Sequence, residues 1–221
     1  MEKVKDATKG TRQHQIYKLA DGTRVPGTTT VTGILDKPAL VKWANNLGLQ
    51  GIDSSKYVDE KARIGTLAHA MIEAYLKGEE IDTSEYSKVE IDQAETCLIK
   101  FWDWTNEHKI KPILCEVPLV SERYRYGGTI DCFGEVDGKP MLLDFKTGKG
   151  IFPEMLIQLA AYNQLLTENG HVPDGCRILR VGRNEEEGFE DRSVNSLAKR
   201  WELFTHCLAI YQIQKEIRKE G

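Results

Sequence analysis

Residues 127–149 read GGTIDCFGEVDGKPMLLDFKTGK, and the rest of the chain is read outward from them. Asp137-Gly138 suits a two-residue type I′ turn, so the stretch predicts two short antiparallel strands joined as a hairpin. With Val136 and Lys139 flanking the turn, Asp131 falls opposite Asp144 and Thr129 opposite Lys146. Side chains alternate faces along a strand, so Asp144 and Lys146 share one face. Directly opposed Cβ atoms lie roughly 5 Å apart, close enough for two carboxylates to grip one cation. Both acids interrupt apolar runs, Ile130-Asp131-Cys132-Phe133 and Met141-Leu142-Leu143-Asp144-Phe145. Burial there is costly unless a partner satisfies each acid. The plain alternative is a cross-strand ion pair on a solvated face. Like charges directly opposite each other destabilise a hairpin, however, and a divalent metal relieves both problems.

The 221 residues suffice for one well-filled core, and 40% hydrophobic with 29% charged residues is the balance of a soluble globular protein. No apolar run approaches a membrane span. The opening MEKVKDATKG carries acids and no apolar segment, so neither a secretory signal nor a transit peptide is expected. Cys97, Cys115, Cys132, Cys176 and Cys207 are scattered without a close CxxC pair. That spacing argues against a zinc knuckle and for free thiols in a reducing, cytoplasmic setting. A net charge of −4 gives no global nucleic-acid footprint, although a local basic groove can sit on an acidic protein.

Along the chain, residues 1–13 read as a polar, mobile arm. Ile16 to Val25 reads as a small hairpin around Asp21-Gly22, and Thr28 to Thr32 as a strand or a loop leading into a helix. Pro38 to Asn46 predicts a helix. Asp53 and Ser54 suit an N-cap for a strong helix from Ser55 to Lys77. There Ile64, Ala68, Ile72 and Leu76 share one face and Gly78 is the stop. Gly65 inside that helix costs about 1 kcal/mol against alanine, so close approach of another backbone is expected there. His69 lies at the edge of the apolar stripe, where a hydrogen-bonded core histidine is the ordinary reading.

A second helix is predicted from Ser84 to His108, with Leu98, Phe101, Trp102 and Trp104 as core. Ile113 to Ser121 reads as a strand that carries Glu116. Arg123-Tyr124-Arg125-Tyr126 then suits phosphate and base contacts, or simply a polar, aromatic hairpin tip. A helix from Pro153 to Thr167 stacks Gln158 and Tyr162 on one face. Strands at Arg177 to Val181 and near Phe189 precede a last helix, Ser193 to Lys219, with Leu197, Trp201, Phe204, Leu208 and Tyr211 as core. Without repeats or linkers, residues 1–221 read as a single domain.

GTLAH on a helix, GGTID on a strand, LLDFKTGK on the next and QLAAY on the following helix occur in that order. Together they resemble the RecB-type branch of the PD-(D/E)XK nuclease superfamily. That branch includes CRISPR adaptation nucleases, the mitochondrial genome-maintenance exonuclease and many phage proteins. The resemblance covers about Ile64 to Tyr162. It implies an α/β, restriction-endonuclease-like core, with a central mixed β-sheet and a catalytic hairpin flanked by helices. Position by position, it implies His69, Asp131, Asp144 and the backbone carbonyl of Phe145 as metal ligands and Lys146 as the catalytic lysine. Gln158 and Tyr162 match a QxxxY pair that lines the site and contacts the DNA strand or orients the lysine. Glu116 resembles an acid often present on the preceding strand and is a further candidate ligand.

The implied cofactor is Mg²⁺ or Mn²⁺, and Mn²⁺ tolerates an imidazole nitrogen better. Some relatives bind an iron–sulfur cluster through one upstream cysteine and a closely spaced downstream group; that pattern is not found here, so no cluster is expected. The implied activity is a metal-dependent DNA exonuclease, with single-stranded ends favoured, in phage or bacterial recombination and repair. Recombination or replication proteins are possible partners by the same resemblance, and no membrane is. Arg123, Arg125, Lys149 and Tyr162 are the candidate DNA contacts. A structure-specific or nicking endonuclease on the same site is one alternative. A catalytically inactive DNA-binding module is the other, against which the intact Asp131, Asp144 and Lys146 speak.

Overall fold

Over residues 15–220, which the computed structural model describes, the chain opens with a hairpin of β1 (Tyr17–Lys18) and β2 (Arg24–Val25). The mobile arm expected over residues 1–13 lies outside that range. Four helices follow: α1 (Thr28–Thr32), α2 (Pro38–Leu49), α3 (Ser54–Lys77) and α4 (Lys88–Glu107). Then come β3 (Ile110–Ser121), β4 (Tyr126–Val136), β5 (Lys139–Lys146), α5 (Pro153–Glu168), β6 (Gly175–Val181), β7 (Phe189–Val194) and α6 (Ala198–Glu220).

Local chemistry sets most of these boundaries. The Asp53 carboxylate accepts from the N–H groups of Ser55 and Lys56 and starts α3, and Gly78, at φ 67, ends it in the left-handed region that favours glycine. α4 begins at Lys88 rather than Ser84, because Ser87 and Glu90 form a reciprocal capping box. The β-branched run Thr28–Thr32 is neither strand nor loop but one helical turn, closed by Val31 N–H donating to the Gly27 carbonyl. α6 begins later than expected because Phe189–Val194 is drawn into the sheet against β6.

The five strands lie in the order β3-β4-β5-β6-β7. All neighbours are antiparallel except β5 and β6, which run parallel and are joined by α5, as a parallel pair requires a crossover. The expected turn forms: Asp137 at φ 52 and Gly138 at φ 81 suit type I′, and Val136 pairs with Lys139. One face of the sheet buries Ile130, Phe133, Leu142 and Ile178 against α1, α5 and α6. The other buries Cys132, Leu143, Phe145 and Leu179 against α3 and α4. The fold is thus α/β, a mixed sheet between two helical layers. Trp102, expected in the core, is 49% exposed, whereas Phe101 and Trp104, three residues apart on the inner face of α4, are buried. All five cysteines are buried free thiols. Among the described residues, no helix is long and apolar enough to cross a membrane.

Candidate metal centre

The site is made where the sheet stops being regular. Leu114 and Leu119 both pack toward α5 and α6 although strand alternation would put residues i and i+5 on opposite faces, and Cys115 packs toward α3 and α4. Opposite, Ile130 and Cys132 pack to different faces, although alternate residues of a regular strand share one. Both strands therefore exchange faces between these points, at Glu116 and Asp131. The ladder pairs Cys115 with Cys132 and Val117 with Ile130, and Glu116 between them adopts φ 52. A non-glycine residue in the left-handed region is uncommon and strained, a pattern that clusters at functional sites. The β4–β5 ladder ends at Cys132 and Leu143, one pair short of Asp131 and Asp144. Beyond it the Phe145 N–H donates to Asp131 Oδ2 at 2.8 Å. Where the strands part, side chains from α3 on one face and α5 on the other reach the same space.

His69 comes from α3. Its Nδ1 lies 3.4 Å from Glu116 Oε1 and 3.6 Å from Asp131 Oδ1. One donor atom from each of His69, Glu116 and Asp131 fits within 4.8 Å of the others. Burial alone would lower the His69 pKa, but the charges and hydrogen bonds of Asp131 and Glu116 outweigh it and raise it from 6.5 to about 9. Asp131 shows the reverse balance. Burial would raise it, but His69, Lys146 and the Phe145 N–H hold it well below the usual carboxylate range. Two acids, Asp131 buried and Glu116 half-buried, that stabilise a proton on a neighbouring imidazole form a cluster that favours positive charge. One imidazole nitrogen with carboxylate oxygens is a donor set that Mn²⁺ or Mg²⁺ accepts, so the residues present fit a divalent cation.

Asp144 is fully buried beside that trio and holds Lys146, whose Nζ lies 2.7 Å from Oδ1 and 2.6 Å from Oδ2. The second contact is close but poorly directed, so buried Oδ2 has no hydrogen bond among the described residues. Burial is the main cause raising Asp144 from 3.8 to about 6; Asp131 adds to the rise and Lys146 opposes it. From α5, Gln158 Nε2 donates to the Tyr162 hydroxyl at 2.5 Å. Burial, then the charges of Asp131 and Asp144, push the Tyr162 phenol well above its ordinary value, which keeps it neutral.

Of these residues, all but the buried Asp144 line a cleft of about 730 Å³, which His69, Glu116, Asp131, Phe145, Lys146, Gln158 and Tyr162 share. Two glycines of the GGTID motif admit its walls. A Cβ on Gly127 would come within 2.4 Å of the Tyr17 ring, and one on Gly128 within 2.6 Å of Tyr162 and 2.8 Å of Thr28 Oγ1. Tyr17 is fixed there by its hydroxyl, 3.0 Å from Thr129 Oγ1. Gly65 does accommodate a close approach, though of the Thr147 hydroxyl rather than of a backbone: a Cβ would lie 2.9 Å from Thr147 Oγ1.

Arg123 and Arg125 stand exposed at the β3–β4 turn and Lys149 is exposed on the loop after β5; none of the three is among the residues lining this cleft. Sequence reasoning missed a different pair. Lys37, at the start of α2, and Glu154, in the first turn of α5, both line the cleft and form an ion pair at 2.9 Å. Burial opposes but Lys37 prevails, so the Glu154 carboxyl lies below its ordinary value. No sequence signal joins residues so far apart in the chain, although Glu154, Gln158 and Tyr162 recur at helical spacing.

No protein-family model matches the chain, and no curated protein matches it. Among solved structures it is similar to a "Putative exonuclease" from Eubacterium rectale, at 14% identity and a TM-score of 0.45, over 65% of this chain. The chain spans 64% of the length of that protein. A second likeness is to SSO0001, at 14% identity and a TM-score of 0.35, covering 67% of this chain and 84% of that one.

Proposed function

We propose that the protein is a divalent-metal-dependent deoxyribonuclease of the PD-(D/E)XK type, an exonuclease acting on single-stranded DNA ends. The observation that carries this reading is the meeting of His69, Glu116 and Asp131 within 4.8 Å, beside the buried Asp144–Lys146 pair, in an open cleft. His69, Glu116 and Asp131 would hold the cation, with Asp144 and the Phe145 carbonyl as the remaining candidate ligands. A bound Mg²⁺ or Mn²⁺ supplies a Lewis acid for the scissile phosphate and lowers the pKa of water at neutral pH.

The chain's own residues do the rest. Asp144 holds the Lys146 Nζ in place, so that it can donate to the attacking water and offset charge gathering on the phosphate. Tyr162, kept neutral and held by Gln158, presents a hydroxyl to the strand. Lys149, Arg123 and Arg125 remain candidates for phosphate contacts outside the cleft, which position a strand without reading it. The resemblance of the four motifs to the RecB-type branch favours attack from single-stranded ends, and a place in phage or bacterial recombination and repair.

The test is digestion of end-labelled linear and of circular single-stranded DNA with Mn²⁺. The linear strand should be degraded and the circle left intact. Asp144→Asn and Lys146→Ala should each lower the rate by about 10²–10³-fold or more while the protein stays folded. Full activity in either variant would refute the assignment, and cutting of the circle would replace the exonuclease with an endonuclease on the same site.

A further inference from the structure

α5 presents Glu154, Gln158 and Tyr162 to the cleft as a ridge of every fourth residue, about 12 Å long at 1.5 Å of rise per residue. Tyr162 is the end beside the ligand cluster. Glu154 is the outer end, and there Lys37 reaches across from the start of α2 to bind it at 2.9 Å. The lysines lining the cleft are Lys37 and Lys146, and Lys146 is committed to Asp144. A DNA strand laid along the ridge brings an anionic phosphate to each nucleotide. At its outer end it would meet the carboxylate of Glu154, which repels it, and the ammonium of Lys37, which attracts it.

The pair is built to exchange. Its side chains are 38% and 28% exposed, and a solvated ion pair of that kind contributes little to stability. α2, which carries Lys37 at its N-terminal boundary, buries none of its residues. Little else therefore depends on Lys37 staying where it is.

We propose that Lys37 and Glu154 form an exchangeable phosphate subsite, in which Lys37 leaves Glu154 for a backbone phosphate beyond the scissile one. Glu154 is the internal competitor: it holds Lys37 at the cleft when no strand is present and lowers affinity when one is. The chemical class recognised is a phosphodiester, read as charge and not as sequence. This subsite rests on the nuclease reading for its substrate. A mere tie between α2 and α5 is the rival explanation, and the two differ in sign.

The test is fluorescence anisotropy of a labelled oligothymidylate of about a dozen nucleotides, with Ca²⁺ in place of Mn²⁺, over a salt series. Lys37→Gln should weaken binding roughly threefold to tenfold and reduce the slope of log K against log salt by about 0.7, the share of one single-strand phosphate. Lys37→Arg should restore both. Glu154→Gln should instead tighten binding, because the competitor is gone. Shifts of the same sign in Lys37→Gln and Glu154→Gln, an unchanged salt slope, or no binding by the wild-type protein would each overturn the subsite. Cleavage with Mn²⁺ is read separately on the same proteins. Opposite-signed affinity shifts without cleavage would remove the hydrolytic reading alone, and cleavage with same-signed shifts would remove the subsite alone.

Discussion

Nδ1 of His69 stands 3.6 Å from Oδ1 of Asp131, and both side chains are nearly closed to solvent. The imidazole is therefore easier to protonate in the folded chain, with its pKa at about 9 against an ordinary 6.5. A pKa raised by folding contributes stability in full below the unfolded value and loses it as pH climbs through the folded one. In a chelator, the melting temperature should fall between about pH 6.5 and pH 9, and His69→Gln should flatten that fall. A metal replaces the proton, so stabilisation by Mn²⁺ should grow across the same interval. Melting curves in EDTA and in Mn²⁺ that stay a constant distance apart would contradict this account.

Glu116 holds a strained backbone, φ 52, to bring its carboxylate to His69. Glu116→Gln keeps the size and removes the charge. Titration calorimetry should show Mn²⁺ affinity reduced by about tenfold to a hundredfold, with the fold intact. Unchanged affinity would exclude Glu116 from the ligand set.

Gly65 separates stability from activity. Alanine there should add up to about 1 kcal/mol through helix propensity. Its Cβ, however, would displace the Thr147 hydroxyl, which lines the cleft one residue after Lys146. Gly65→Ala should therefore raise the urea midpoint and lower the cleavage rate together. A gain in both would show that Thr147 is free to move without consequence.

Gly127 has no such freedom. A methyl group within 2.4 Å of the Tyr17 ring forces the ring or the strand aside, and Tyr17 is anchored on Thr129. Gly127→Ala should cost about 1–3 kcal/mol in urea unfolding, and Tyr17→Ala in the same chain should relieve part of it. Additive effects of the two substitutions would argue against the contact.

The central hairpin was legible in the sequence because one dipeptide fixes its turn and the turn fixes its register, through to Cys132 opposite Leu143. The long α3 was legible as well, since its stripe, cap and stop agree. The exchange of faces at Glu116 and Asp131 was not. A strand's alternation is a rule about regular backbone, and nothing local in CEV or IDC announces that the rule lapses there. The consequence is concrete: the residues gathered around His69 are Glu116 and Asp131, while Asp144 is turned to Lys146. Lys37 and Glu154 escaped for another reason, because their meeting depends on how the layers stack rather than on either helix. Thr28 to Thr32 carries the β-propensity of a strand, and one turn of helix overrides it.

The β1–β2 hairpin is two short rungs, yet its first residue braces the strand that carries Asp131. Gly127 also donates its N–H to the Pro26 carbonyl, and Thr28 Oγ1 donates to the Gly127 carbonyl. A shortened protein beginning at Thr29 would retain every ligand candidate and both cleft lysines while losing this buttress. Occupancy by the ion and turnover of the strand would then part company, and the early residues, trimmed as an ornament, would prove to be masonry.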